Sequence, residues 1–237
     1  MKVFKKLIIF LTPLVLLCGC VKEKENAMTD ALKFKQEYEA LNDTAKVDGG
    51  EKYNSVEIPE DNPIVYVDCE KTLEILDSEE AILYVGAEWC PWCRNAVSIL
   101  FEVAKEHNID KIYYLNLDKE KSNFEIQDGE LVTLNKGSDA YYKLLDKLEN
   151  HLRDYVLTDK DGKNFDTKEK RIYMPYVVGI KNKTIVSDHI GTVDLEEDQS
   201  KHSSLTKEQH DELYKIYDNM FKGVYDDFGI CNENECN

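Results

Sequence analysis

The stretch AILYVGAEWCPWCRNA, residues 81–96, constrains the fold of this chain more than any other segment. It begins with a continuous apolar run over 81–87, which is typical of a β-strand buried on both faces of a sheet. Cys90 and Cys93 follow, and Pro91 stands at a position that suits the first turn of a helix. Residues 91–106 then repeat apolar side chains with helical spacing. The chain is therefore expected to pass from a central strand into an amphipathic helix at the cysteine pair.

The flanking segments continue an alternation of strands and helices. Helical spacing is present in 69–78, and a capping box followed by apolar residues predicts a long closing helix over 204–230. The predicted strands are 64–67, 81–87, 111–118, 173–180 and 184–191, the last two forming a hairpin. Strands that alternate with helices imply parallel pairing through right-handed crossovers. We predict a mixed α/β domain over 61–230.

Residues 119–172 interrupt this alternation. Within them, 138–157 has the apolar spacing of an amphipathic helix, with Ser138 or Asp139 as its cap, and charged loops that contain glycine flank it. We predict a helical insertion before the strand at 173–180.

The first residues of the chain have the pattern of an export signal. Three lysines precede an apolar run over 7–17, which is too short to span a bilayer. The run ends in LCGC, which resembles a bacterial lipobox with Cys20 as the acylated residue. The alternative is an ordinary signal peptide cleaved nearby. We predict a signal peptide over 1–19 and a mature protein anchored by lipid at Cys20 on the extracytoplasmic face of the cell membrane, where disulfides persist.

Charge dominates the segment that follows and the chain as a whole. Residues 20–60 are highly charged and hold turn signals at 48–50 and 58–63, so we predict a tether with one short helix over 30–41. The whole chain has 30 basic and 47 acidic side chains. That balance argues against nucleic acid as a partner, because phosphate binding requires a basic surface. An apolar content of 42% predicts a packed core.

The cysteine pair is compatible with a metal clip, a structural staple or a reactive dithiol. Zinc requires four ligands, and none of the five histidines is near Cys90 and Cys93 in sequence. A reactive dithiol fits better, because the start of a helix stabilises a thiolate at Cys90 and Cys93 is one turn away, where it can attack a mixed disulfide. Trp89 and Trp92 would supply an apolar rim. We predict neither a metal nor an organic cofactor.

These segments resemble the thioredoxin family. Residues 81–100 are similar to its active-site strand and helix, KIYYLNLD at 111–118 to its next central strand, and YMPYVVGI at 173–180 to the segment that begins with a cis-proline. The resemblance covers roughly 63–118 and 173–228 and implies a thioredoxin fold. It also implies that Cys90 is the nucleophile and Cys93 the resolving cysteine. The residues that it implies for the substrate groove are Trp89, Pro91, Trp92, Met174 and Pro175, with a cis bond between the last two.

Two positions depart from the family pattern. Tyr84 stands where thioredoxins have a buried aspartate, and Tyr114 stands where they have its partner lysine. Glu88 or a water is a candidate to assist proton transfer in place of that pair. The direction of electron flow stays open, because the residues between the cysteines also influence the reduction potential.

The leading functional hypothesis is a thiol–disulfide oxidoreductase acting on cysteines of exported proteins or peptides, with a membrane redox partner as a further possibility. A narrower role, by analogy with thioredoxin-like accessory proteins of bacterial peptide exporters, is maturation of one secreted peptide class. The alternative is a redox-inactive protein of the same fold, either a binding or chaperone module or a transport-accessory lipoprotein. Cys231 and Cys236, in the tail at 231–237, form either a local disulfide or a second redox pair, and Cys69 is expected to be a buried, inert thiol.

Overall fold

The computed structural model of the chain describes residues 28–44 and 51–226. In chain order, the elements are α1 (Asp30–Glu39), β1 (Ile64–Val67), α2 (Cys69–Ile75), β2 (Glu80–Val85), α3 (Pro91–Glu106), β3 (Ile112–Leu115), β4 (Asn123–Gln127), β5 (Glu130–Asn135), α4 (Asp139–Lys147), a 3-10 turn (Glu149–His151), β6 (Arg153–Thr158), β7 (Asn164–Arg171), β8 (Tyr176–Lys181), β9 (Thr184–Ile190) and α5 (Lys207–Tyr225).

Five of the strands form the central sheet, in the order β1–β3–β2–β8–β9. The first three strands of that order pair in parallel, whereas β8 is antiparallel to both β2 and β9. The antiparallel pair β8–β9 is the predicted hairpin, and α5 begins at the predicted capping box of Thr206 and Gln209. This strand order, with helices on both faces and a closing helix, is the thioredoxin fold that the sequence predicted.

The sheet separates two parts of the hydrophobic core. Side chains of β2 alternate between them: Ile82 and Tyr84 lie on the face covered by α1, α3 and α5, and Leu83 and Val85 lie on the face covered by α2 and α4. All four side chains are fully buried. The continuous apolar run in the sequence thus reflects a strand covered on both faces.

The predicted insertion differs from its expected structure. The helix predicted over 138–157 ends at Lys147, although Ser138 caps it as expected by accepting a hydrogen bond from the Tyr141 amide. Residues Arg153–Thr158 instead form β6, because they pair with the antiparallel strand β7. Pairing with β7, the next strand along the chain, outweighs the local helical spacing. The segments predicted as charged loops contain a second hairpin, β4–β5, so the insertion is mainly β-structure rather than helical.

The predicted tether is also corrected in part. Helix α1 lies within it, but Phe34 and Tyr38 of that helix are completely buried. The Phe34 ring stacks on Tyr38 with centroids 4.2 Å apart and meets Tyr114 edge-on at 4.9 Å. Val56 and Ile58 are buried in the same core. Residues 28–44 and 51–60 therefore belong to the folded domain, which begins well before residue 61.

Several predictions concern residues outside the described ranges. These are the signal peptide over 1–19, the lipidation site Cys20, and the tail with Cys231 and Cys236. Within 28–44 and 51–226, no helix has the length and apolar character needed to cross a membrane.

Candidate active site

Cys90 lies at the junction between β2 and α3. Its backbone is extended (φ −80°, ψ 118°), it directly precedes the first helical residue Pro91, and its side chain does not cap the helix. The N–H groups of the first helical turn have no intrahelical partner, so they are available to a sulfur at this position. Cys90 is 4% exposed, and Cys93 is completely buried. Both thiols are free.

The two thiols have opposite acidities. A hydrogen bond from the Cys93 thiol lowers the pKa of Cys90, and the backbone N–H groups of Cys93 and Trp92 and the charge of Lys121 act in the same direction, against burial. Burial raises the pKa of Cys93 well above its usual range, and the neighbouring Cys90 adds to the rise. Cys90 is therefore the more acidic thiol of the pair, and Cys93 is the one that retains its proton to higher pH.

The opposite wall of the site is formed by the residues before β8. The Met174–Pro175 peptide bond is cis, as the resemblance implies. The Cys90 sulfur lies 3.6 Å from the Met174 carbonyl oxygen, to which the protonated thiol can donate. Trp92 and Met174 pack on the small buried cluster that contains both cysteines. The structure thus brings the dithiol and the cis-proline segment into direct contact.

Two residues of the site were not predicted from the sequence. Asp118 accepts a hydrogen bond from the indole N–H of Trp89 at 2.5 Å, and it forms an ion pair with Lys121 at 2.6 Å. The Lys121 ammonium lies 5.0 Å from the Trp89 ring centroid. The available signal was their position just after strand β3, because the carboxyl ends of parallel strands meet at one edge of the sheet.

A group of three buried tyrosines lies beneath the dithiol. The hydroxyl groups of Tyr84 and Tyr38 are 3.0 Å apart, and the Tyr114 hydroxyl donates to the Gly86 carbonyl oxygen at 3.2 Å. A hydrogen bond from the Tyr84 hydroxyl opposes the rise in the pKa of Cys93. Burial raises the pKa of each of these tyrosines well above 10, so each keeps its proton. The protonated Tyr84 hydroxyl can therefore donate a hydrogen bond to the resolving cysteine but cannot act as a base.

Glycine is required beside this group. A Cβ atom at Gly86 would lie 2.5 Å from both the Cζ and the hydroxyl oxygen of Tyr84. Real Cβ contacts are not this short, so the absence of a side chain at Gly86 makes room for the tyrosine ring under the site.

Glu88, the residue predicted to assist proton transfer, makes its described hydrogen bond elsewhere. Its carboxylate accepts from the Asn116 side-chain amide at 3.2 Å. Burial raises the pKa of this carboxyl group. Glu88 is therefore close to the dithiol in sequence, but its carboxylate is not shown in a hydrogen bond with either cysteine.

Arg94 connects the active-site helix to the N-terminal segment. Its guanidinium is 2% exposed and donates to the carbonyl oxygens of Asn54, Tyr38 and Glu88 at 2.7, 2.8 and 3.1 Å, and to the side-chain oxygen of Asn42 at 2.5 Å. Burial lowers the pKa of this guanidinium. A side chain adjacent to Cys93 in sequence thereby holds α1 and its following loop against the site.

Cys69 lies outside this site, at the start of α2. It is completely buried, and burial raises the pKa of its thiol. These properties agree with an inert thiol. Over the residues that the structure describes, no group of three or more His, Cys, Asp or Glu side chains could hold a metal ion.

Comparison with known proteins finds similarity at the level of solved structures. No protein-family model matches the sequence, and no curated protein matches it. The crystal structure of thioredoxin f2 from Chlamydomonas reinhardtii is 13% identical, with a TM-score of 0.31, and the match covers 54% of this chain and 83% of that one. Thioredoxin O2 from Arabidopsis thaliana, in its oxidised state, is 14% identical with a TM-score of 0.31, over 56% and 85% of the two chains. Because this similarity is weak, the thioredoxin fold is assigned from the strand order and strand directions of the chain itself.

Proposed function

We propose that this protein is an extracytoplasmic thiol–disulfide oxidoreductase that acts on cysteines of exported proteins or peptides. The observation that carries the proposal is the placement of the Cys90 thiol at the start of α3, opposite the cis Met174–Pro175 bond. A thiolate at a helix start attacks disulfides readily, and the second thiol one turn away can complete the exchange.

The proposed reaction proceeds in two exchanges. In the reduced protein, the Cys90 thiolate attacks one sulfur of a substrate disulfide, and the other substrate sulfur leaves and takes a proton from solvent. Cys93 then attacks the Cys90 sulfur, so the Cys90–Cys93 disulfide forms and the proton of Cys93 ends on the second substrate thiol. The substrate gains two electrons and two protons: the protein supplies both electrons and the Cys93 proton, and solvent supplies the other proton. The reverse sequence oxidises a substrate dithiol, and a membrane redox partner would restore the starting state in either direction.

Substrate trapping tests this proposal. The Cys93→Ala variant cannot resolve the mixed disulfide, so substrates should accumulate on Cys90 and should be released by dithiothreitol. Cys90→Ser should trap nothing and should lose disulfide exchange, whereas Cys69→Ala should keep wild-type activity, since Cys69 lies outside the site.

The alternative, a redox-inactive binding or chaperone module, predicts the opposite outcomes. In that case Cys93→Ala accumulates no mixed disulfides and Cys90→Ser preserves the cellular role. Either result would contradict the oxidoreductase proposal.

A further inference from the structure

The two hairpins β4–β5 and β6–β7 are attached to the two sides of the dithiol site: the first begins just after Lys121, and the second ends just before the cis Met174–Pro175 bond. Strand β4 begins at Asn123, two residues after Lys121, whose ammonium lies over the Trp89 ring. Strand β7 ends at Arg171, three residues before Met174 of the cis bond. The hairpins therefore extend the surface on both sides of the reactive cysteine.

Direct contacts join the bases of the two hairpins. The Ser122 hydroxyl donates to the Glu169 carboxylate at 2.5 Å, and the Arg171 guanidinium donates to the Ser122 carbonyl oxygen at 2.9 Å. The rings of Phe124 and Tyr155 meet edge-to-face with centroids 5.6 Å apart. These contacts fix the two hairpins relative to each other and to the site.

A groove of about 710 Å³ lies between the outer parts of the hairpins. Its apolar lining consists of Phe124, Ile126 and Leu157. Four carboxylates and one ammonium group also line it, contributed by Glu125, Asp128, Asp159, Asp161 and Lys160. The groove therefore combines an apolar surface with an excess of negative charge.

The groove carboxylates differ from other acidic groups on the same hairpins. Asp154 and Asp166 form ion pairs with Lys170 and Lys168. For the four groove carboxylates, no ion pair with a basic side chain occurs among the residues that the structure describes. Their charge is thus available to a ligand of opposite sign.

Exposed apolar side chains also occur on the segments around the site. Within the described ranges, six large apolar residues are exposed, and four of them belong to the hairpins or to the segments that flank the dithiol and the cis bond: Trp89, Leu134, Val156 and Tyr173.

We propose that the hairpin groove binds the segment of a substrate chain that flanks its reactive cysteine, and that this segment carries basic and apolar side chains. The inference rests on the proposed function and specifies its substrate class. An extended chain advances about 3.3 Å per residue. Because the lining on the β4–β5 hairpin extends from three to eight residues beyond Lys121, the recognised segment lies about three to eight residues from the cysteine.

Peptide binding without redox chemistry tests the groove. Two peptides carry serine in place of the reactive cysteine and differ in the flanking segment, which alternates lysine with leucine in one and glutamate with leucine in the other. Fluorescence anisotropy with the full chain should show at least tenfold tighter binding of the lysine peptide, because the groove carboxylates attract its ammonium groups and repel the carboxylates of the glutamate peptide. A salt concentration of about 0.15 M screens charges that lie far from the groove. Equal binding of both peptides would overturn the proposal.

Charge-neutralising variants locate the binding surface. Glu125→Gln, Asp128→Asn and Asp161→Asn together remove three groove charges while keeping side-chain size. The matched control, Glu57→Gln, Glu70→Gln and Glu197→Gln, changes the net charge equally at exposed positions outside the groove. The groove variant should weaken binding of the lysine peptide at least fivefold, and the control should change it less than twofold. Equal weakening by both variants would show attraction to net charge alone and would overturn the proposal.

A small non-peptide disulfide separates this inference from the oxidoreductase proposal. The groove variant should reduce such a disulfide at the wild-type rate, because its substitutions lie away from both cysteines. If the wild-type protein binds the lysine peptide but reduces no disulfide, the groove stands and the proposed activity fails. If it reduces disulfides but does not discriminate between the peptides, only the groove proposal fails.

Discussion

Around Cys90, the side chains of Trp89, Asp118 and Lys121 form a connected group outside the cysteine motif. The Trp89 indole N–H and the Lys121 ammonium both bind the Asp118 carboxylate, and this arrangement holds the ammonium near the dithiol site. Lys121 is only 8% exposed, so solvent screens its charge less than that of a surface lysine. The charge contributes to the lowered pKa of Cys90, although hydrogen bonding from Cys93 is the larger cause.

The pH dependence of alkylation should report this lowered pKa. The thiolate reacts with iodoacetamide and the thiol does not, so the rate should rise with pH and reach half its plateau below the value of about 8.5 found for a free cysteine. Lys121→Gln removes a positive charge and should move the midpoint to higher pH. Lys119→Gln removes an exposed charge nearby and serves as the control. Equal shifts in both variants would contradict a specific role for Lys121.

The hydroxyl of Tyr84 should assist the resolving step. Tyr84→Phe removes the hydrogen-bond donor to Cys93 and should prolong the life of the mixed disulfide in single-turnover experiments. It also removes the bond to Tyr38 and should lower the free energy of unfolding by about 1 kcal/mol.

Tyr38→Phe is the matched control for this effect. It removes the same bond between the two tyrosines but keeps the Tyr84 hydroxyl beside Cys93. A similar loss of stability with a smaller change in the resolving rate is therefore expected. If both variants slow resolution equally, the effect is one of packing and the assignment to Tyr84 is wrong.

At the scale of elements, helix α1 is part of the structure that supports the site. It supplies Tyr38 beneath Cys93 and Phe34 to the core, and Arg94 of α3 binds its carboxyl-terminal end through the Tyr38 carbonyl oxygen. A segment with few apolar residues thus contributes both packing and hydrogen bonds to the active-site region.

Substitution of Phe34 measures the contribution of α1. Phe34→Ala leaves a cavity among aromatic rings and should lower the free energy of unfolding by about 3–5 kcal/mol, measured by urea denaturation. Met28→Ala, at an exposed position just before the helix, should change it by less than about 0.5 kcal/mol. A loss below about 1 kcal/mol for Phe34→Ala would show that α1 is dispensable for the fold.

Element types were predicted well where the local pattern and the tertiary environment agree. The buried strand at 81–87 and the helix after it have apolar patterns that fit only one arrangement in the sheet. Residues 153–157 show the opposite case, because Tyr155 continues the helical spacing of α4 but the segment pairs with β7. Pairing within this hairpin leaves little trace in the apolar spacing of 153–157, so the helical pattern was misleading there.

At the scale of the whole molecule, the proposed anchor would place the site close to the extracytoplasmic membrane surface. The structure describes the domain from residue 28 onward, and this residue is eight positions after Cys20. An extended chain of this length spans at most about 30 Å. The folded domain would therefore remain within about that distance of the lipid surface, where exported chains emerge.

Lipid labelling tests the anchor. Cys20→Ala should abolish incorporation of labelled palmitate and should release the protein from the membrane fraction. Cys18→Ala changes a cysteine two residues away and should keep both properties, because only Cys20 has the position of the acylated residue in the lipobox. Absence of the label from the wild-type protein would show that the signal is of the ordinary type, and retention of the label in Cys20→Ala would show that another residue is acylated.

The sequence by itself determined the central α/β alternation, the helix start at Cys90 and the assignment of Cys93 as the neighbouring thiol. Each of these features depends on the spacing of apolar residues and cysteines within one continuous stretch of chain, so it can be predicted without knowing the tertiary contacts. Only the tertiary structure decided that Tyr38, Asp118 and Lys121 surround the dithiol and that two hairpins extend its groove. These residues belong to separate elements, and the pairing and packing of those elements, which bring them together, depend on contacts between distant parts of the chain.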